Sequence, residues 1–284
     1  RFFRLYPLLL FTSIIILVFS QIFDLKQNHL WFISAVSFTN STPILFWLIQ
    51  YFNTDLINFN NGIYNPSWSI SSEMITYSIY AITSLLIPKK RNWIFLILIS
   101  SAYVFALLNG GFWGYTVGLG IIRGLVSFFI GFFVFVIGCE KKLYTLRLSE
   151  NVILLTLIIV LAIFNYILPE KLLHIVGMFL IPVYFGMFIL FLLNSNGILT
   201  RFLEHKIIKF IGKISFSIYL NHYIIIAIFK KTGIFNFLGK DFSLIVLISL
   251  ILVYSYITFS IFENRVFKYL KYKFLSSTTK RLTL

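Results

Sequence analysis

Apolar runs recur along this chain from one end to the other, and each is long enough to be measured against a bilayer. About 20 apolar residues cross roughly 30 Å of hydrocarbon. About eight segments meet that length, approximately 5–23, 68–87, 93–109, 121–138, 151–168, 173–193, 210–229 and 243–262. The pattern predicts an all-α fold, a polytopic membrane bundle of about eight transmembrane helices. Charge falls in the breaks. If the spans alternate, 18 of the 24 Lys and Arg collect on one face, from Arg1 and Arg4 through Lys89, Lys142 and Lys206 to Arg281. Lys26, Arg123, Lys171, Lys230, Lys231 and Lys240 are left on the other. The positive-inside rule then puts both termini in the cytoplasm. The stretch 24–67 contains an apolar run from Leu45 to Phe52, cut by Asn40, Pro43, Asn53 and Asp55. It is expected to be an outer loop with a re-entrant or interfacial element, with Trp31, Trp47, Tyr51 and Trp68 in the headgroup layer.

Two polar stripes interrupt the apolar text. In Trp68-Ser69-Ile70-Ser71-Ser72-Glu73-Met74-Ile75-Thr76-Tyr77, the residues Ser69, Glu73, Thr76 or Tyr77, and Tyr80 recur at three to four positions and so share a helix face. An ionised group inside a span is expensive and is usually kept for function, which makes Glu73 the leading candidate. The plainer alternative is a carboxylate near a helix N-terminus, with the Ser69 hydroxyl as its capping-box partner. The second stripe runs from Lys213 to Tyr223, with Ser215, Tyr219 and His222 on one face and His222 at a depth similar to that of Glu73. A buried imidazole near a carboxylate suits general acid–base work; a structural histidine bridging helices is the alternative. Arg123 enters its span among Gly118, Gly120 and Gly124, placed either to snorkel to headgroups or to pair with Glu73. Arg1 and Arg4, three apart before Pro7, are spaced to clasp phosphate groups, or serve only as topogenic charge. His29, His174 and His205 receive no role.

Composition narrows the classes. Phe 34, Tyr 16 and 12% charged residues point to lipid as the solvent. The net charge of +15 is dispersed among short loops, so no nucleic-acid partner is expected. Cys139 is the single cysteine, which excludes an internal disulfide and a multi-cysteine metal site. Zinc-protease and phosphate-loop motifs do not occur. No signal peptide is recognisable, and the chain is expected to start partway into a longer protein.

Four elements in order resemble acyltransferase family 3, a family of integral membrane acyltransferases. Arg1-Phe2-Phe3-Arg4-Leu5-Tyr6-Pro7 resembles its R-x-x-R-[IL]-x-P element, and Trp68 to Met74 its W-[ST]-L-S-x-E element. Ile121-Ile122-Arg123 through Gly131 is similar to its arginine-led helix, and Gly212 to His222 to its G-x-x-S-Y-S-x-Y-L-x-H element, with Phe216 for the tyrosine. Phe262-Glu263-Asn264 resembles a late E-x-P tail with Asn264 for the proline. The resemblance implies a ten-helix bundle from which the first two helices, and the family's proposed catalytic histidine, would be missing here. It also implies a bacterial plasma-membrane enzyme that moves an acyl group, most simply acetyl, from acyl-coenzyme A to a hydroxyl of a sugar or cell-surface glycan, with no bound cofactor. Glu73, Arg123 and His222 would be the catalytic-site residues. Arg1 and Arg4 would hold the coenzyme phosphates, and Trp68, Ser69, Ser71 and Tyr219 would complete the substrate-binding set. The acyltransferase domain would cover 1–264 and a basic cytoplasmic tail 265–284. The rival readings are a transporter or flippase for lipid-linked glycans, for which no internal repeat is found, and a purely structural membrane subunit.

Overall fold

A computed structural model describes residues 2–23, 29–42, 66–108, 120–140, 150–163, 170–193, 195–234 and 239–282. Every described element is helical. They are α1 (Phe2–Ile22), α2 (His29–Val36), α3 (Ser67–Leu86), a 3-10 turn (Pro88–Lys90), α4 (Arg91–Leu108), α5 (Gly120–Glu140), α6 (Glu150–Ala162), α7 (Glu170–Leu193), α8 (Ile198–Glu204), α9 (Lys206–Thr232), α10 (Lys240–Thr258), a π-helical segment (Phe259–Val266) and α11 (Phe267–Leu282). Each of the eight expected spans overlaps one of these helices, and residues 164–168 of the span 151–168 lie outside the described residues. Among the described residues five helices are long and apolar enough to cross a membrane, or six if the bent pair Leu180–Leu193 and Ile198–Glu204 forms one span. Two expected spans fall short for visible reasons. The polar face of α3 dilutes its apolar content, and α6 has only 13 described residues. Large apolar side chains such as Leu85, Trp93, Leu108, Ile158 and Ile245 stay exposed on the long helices, which is unfavourable in water and ordinary in lipid. The protein is an all-helical polytopic membrane protein.

Two compact units divide the chain. One comprises Arg1–Asn40, Ile44–Ser71 and Phe210–Leu284; the other Ser41–Pro43 and Ser72–Lys209. In the first, α1 turns one face inward through Leu5, Leu8, Leu9, Thr12, Ser13, Ile16 and Phe19, spaced at the three- and four-residue intervals of a helix stripe. Thr12 and Ser13 lie in that apolar stripe because their hydroxyls donate to the Leu8 and Leu9 carbonyls of the preceding turn. Pro7 is tolerated in α1 because it lies in the second turn, where the proton it lacks removes a single helical hydrogen bond. Helix α9 pairs with α10 through Ile225, Phe229 and Leu247. The basic segment after residue 264 continues the last span as helix, and Phe274 of α11 lies 5.3 Å, ring to ring, from Phe3 of α1.

In the second unit small residues set the helix separations. Ala102 and Ala106 of α4 receive Val126 of α5, and Phe95 stacks on Phe129 at 4.2 Å. At the start of α5 the chain approaches α3 so closely that a Cβ on Gly124 would fall 1.9 Å from the Ser72 Oγ. The same hydroxyl donates to the Gly120 carbonyl at 3.2 Å. Gly120 and Gly124 thus form the small-xxx-small contact by which membrane helices bring backbones together without a hydrophobic driving force. Gly124→Ala is expected to lower stability by about 1–3 kcal/mol, measured by unfolding in detergent, and Ser72→Ala in the same chain should restore part of it. Gly131→Ala, where a Cβ would meet nothing within 4 Å, should leave stability unchanged or slightly raised.

Candidate functional site

The entry to α3 is fastened by hydroxyls. Asn40 Nδ2 donates to Ser67 Oγ at 2.6 Å, and the Ser71 hydroxyl donates to the Phe38 carbonyl. Phe38 sits at φ 59°, the left-handed region that a bulky side chain avoids. Its ring packs against Tyr6 and Phe2 of α1, at 5.7 and 6.3 Å, so packing and the Ser71 bond together hold a backbone that would otherwise relax. Ser71 is fully buried, and its hydroxyl does structural work on that turn. Ser69 does not cap α3, as the capping-box alternative required. It is already the third helical residue, and its hydroxyl donates to the Pro66 carbonyl at 3.1 Å and bonds the Tyr219 hydroxyl at 2.8 Å.

Tyr219 and His222, one turn apart on α9, lie with rings 5.8 Å apart. His222 Nδ1 lies 3.3 Å from the Ile218 carbonyl oxygen. A carbonyl only accepts, so the proton belongs on Nδ1 and the lone pair on Nε2. Ser69, Tyr219 and His222, chosen from the sequence, are thus brought into one polar patch of the first unit; the half-buried Trp68 neighbours Ser69 in the chain. Ser215 of the same stripe is exposed. The buried polar face of α9 is instead Ser217 and Asn221, four apart and each fully buried.

That face meets the last span. Ser217 Oγ donates to Glu263 Oε1 at 2.7 Å, and Asn221 Nδ2 donates to Thr258 Oγ1 at 2.7 Å. The second oxygen of Glu263 accepts from Arg4 Nε at 3.0 Å. The Glu263 side chain is wholly buried, whereas that of Arg4 keeps 38% of its surface. The π-helical segment carries this carboxylate: Phe267 N–H reaches back five residues to the Phe262 carbonyl, a wider turn of the kind often found at functional sites. The sequence marks Glu263 only through its resemblance to a late E-x-P element, and it singles out Ser215 rather than Ser217 on the α9 face. Two signals were available, a carboxylate ending an apolar run and the spacing of Ser217 with Asn221.

In the second unit, Glu73 is half-buried on α3 and its Oε1 accepts from the Tyr77 hydroxyl at 2.5 Å. Of the two candidates for its neighbour on that face, Tyr77 meets the carboxylate, while Thr76 donates to the Glu73 backbone carbonyl. Arg123 lies at one end of a cleft of about 250 Å³ between α5 and α7, with Ser127 and Gly131 below it and Pro182, Phe185 and Gly186 opposite. Arg1 and the run 43–65 lie outside the described residues. Among those described, no cluster of His, Cys, Asp or Glu has the make-up of a metal site.

Carboxylate, guanidinium and imidazole groups held on the inner faces of long apolar helices define a polytopic membrane protein with buried polar sites. The chain belongs to acyltransferase family 3, since the family model for an acyltransferase domain matches residues 1–272. It is a membrane acyltransferase in the general sense of that family. Comparison with curated proteins and with solved structures gave no match. Ser71→Ala, which strands the Phe38 carbonyl, should cost about 1–3 kcal/mol of stability, and Tyr219→Phe, which removes a part-exposed bond, about 1 kcal/mol or less. Unfolding of the two variants side by side checks the order.

Proposed function

We propose that this acyltransferase takes an acyl group, acetyl in the simplest case, from acyl-coenzyme A and places it on a hydroxyl of a sugar or cell-surface glycan at the bacterial plasma membrane. The family match carries the reaction class. The choice of donor rests on Arg4, a part-exposed guanidinium at the end of α1 that the charge pattern assigns to the cytoplasm. Arginine's planar array of N–H groups suits phosphate.

In the reaction the acceptor oxygen bonds to the thioester carbonyl carbon, and the carbon–sulfur bond breaks. The acceptor proton passes to a base and then to the departing thiolate. Two kinds of group are needed: a base for that proton, and donors for the oxygen that gains charge in the tetrahedral intermediate. The base that the family resemblance implies is a histidine that no position here matches; in the first unit His222 is a secondary polar group beside the Tyr219 hydroxyl, which can donate. The second unit, described by itself, offers Glu73, a carboxylate steadied by Tyr77 that can bind hydroxyls, and Arg123, a guanidinium on the lining of the α5–α7 cleft.

Incubation of membranes containing the full-length protein with labelled acetyl-coenzyme A should place label on a glycan; movement of glycan without label would favour the transporter class. Glu73→Gln, which keeps the shape and removes the charge, is expected to abolish that transfer at normal protein levels. Undiminished labelling by this variant would exclude Glu73 from the site.

A further inference from the structure

Only Asp241 and Glu263, of the nine acidic residues in the chain, fall in the described part of the first unit. The remaining charge near Glu263 in the sequence and in space is basic. Arg4 is bonded to it, Arg265 and Lys268 follow it in the chain, and Lys213 reaches over the Phe259 ring one turn earlier, at 5.5 Å. A carboxylate so placed is costly to bury alone, and that cost is offset only while its partner is held against it. Both of its oxygens are engaged, one by the Ser217 hydroxyl and one by Arg4 Nε.

The geometry of Arg4 is the informative part. A guanidinium has five N–H donors in one plane, and Glu263 takes the one on Nε, the edge nearest the helix. Among the described residues no acceptor meets the four N–H groups on its two Nη atoms, and 38% of the side chain is exposed. A carboxylate gripping Nε restrains the guanidinium plane and leaves the other edge uncommitted on a part-exposed side chain. It also leaves that edge with the fork geometry suited to a phosphate. Ser217 and the wider π turn serve the same end: the turn swings Glu263 inward to face both α1 and α9, and Ser217 anchors its other oxygen.

We propose that Glu263 is a positioning residue for the acyl donor: by holding Arg4 Nε it presents the two Nη groups to a phosphate of coenzyme A. The inference rests on the reading of coenzyme A as donor, and it adds a residue that never touches the ligand.

The test is equilibrium binding to the whole chain in lipid nanodiscs, using coenzyme A and adenosine 3′,5′-bisphosphate, its phosphate-bearing half, as probes. Glu263→Gln should weaken both ligands by the same factor, tenfold or more. Pantetheine, which has the thiol arm and no phosphate, should compete equally well against the original protein and the variant. Glu263→Asp, which keeps the charge but draws it back by one methylene, should fall between them, and it carries the test if the Gln variant does not accumulate. Unchanged coenzyme A binding by the variants overturns the positioning role alone. A loss shared by pantetheine overturns it too, since it marks general damage to the helices. If the original protein binds neither coenzyme A nor the bisphosphate, the donor reading fails and this inference falls with it.

Discussion

A buried carboxylate must find a positive partner or give up its charge, and in the first unit that requirement gathers three parts of the chain. Glu263 comes from the last long helix, Arg4 from the first helix and Ser217 from α9. Their meeting explains details that look unrelated in the sequence. The π turn at Phe259–Val266 orients the carboxylate, and the Asn221 bond to Thr258 repeats the α9 link about one turn away. In lipid such polar contacts also supply direction, because apolar surface discriminates poorly between one helix face and another.

The second unit solves the association problem differently. Gly120, Gly124 and Ser72 let two backbones touch, Ala102 and Ala106 receive Val126, and Gly186 makes room for Val134. Tyr77 and Thr76 are turned to local uses, Tyr77 to the Glu73 carboxylate and Thr76 to its own helix. Each unit therefore carries its candidate chemistry on a different support: hydrogen-bonded charge in the first, close packing of small residues in the second.

The apolar periodicity showed where the helices lie, since a span must be continuous and nearly uncharged, and both properties are local. Glu73, Arg123 and His222 stood out for the same reason, as ionisable groups in apolar surroundings. What stayed hidden depends on partners distant in the chain. Ser71 reads as part of a polar motif, but its carbonyl partner lies 33 residues earlier on a turn whose left-handed φ no pattern announces. Glu263 stands just past the expected span 243–262 and carries only a motif resemblance in the sequence; the helix continues through it, and its partners Arg4 and Ser217 lie 259 and 46 residues away. The two stripes of α9 differ by only two positions, and choosing between them required knowing where the last helix lies.

One buried charge pair organises the first unit, and a double-mutant cycle on Arg4 and Glu263 tests this most directly. Unfolding free energies would be measured for the single Gln variants and for the double variant in the same bilayer mimic. Arg4→Gln strands a wholly buried carboxylate and should cost about 3–5 kcal/mol. Glu263→Gln should cost less, because the part-exposed guanidinium can reach water. The double variant should be clearly more stable than the sum of the two losses allows. Losses that simply add would mean the two side chains contribute independently, and the account of the first unit would be wrong.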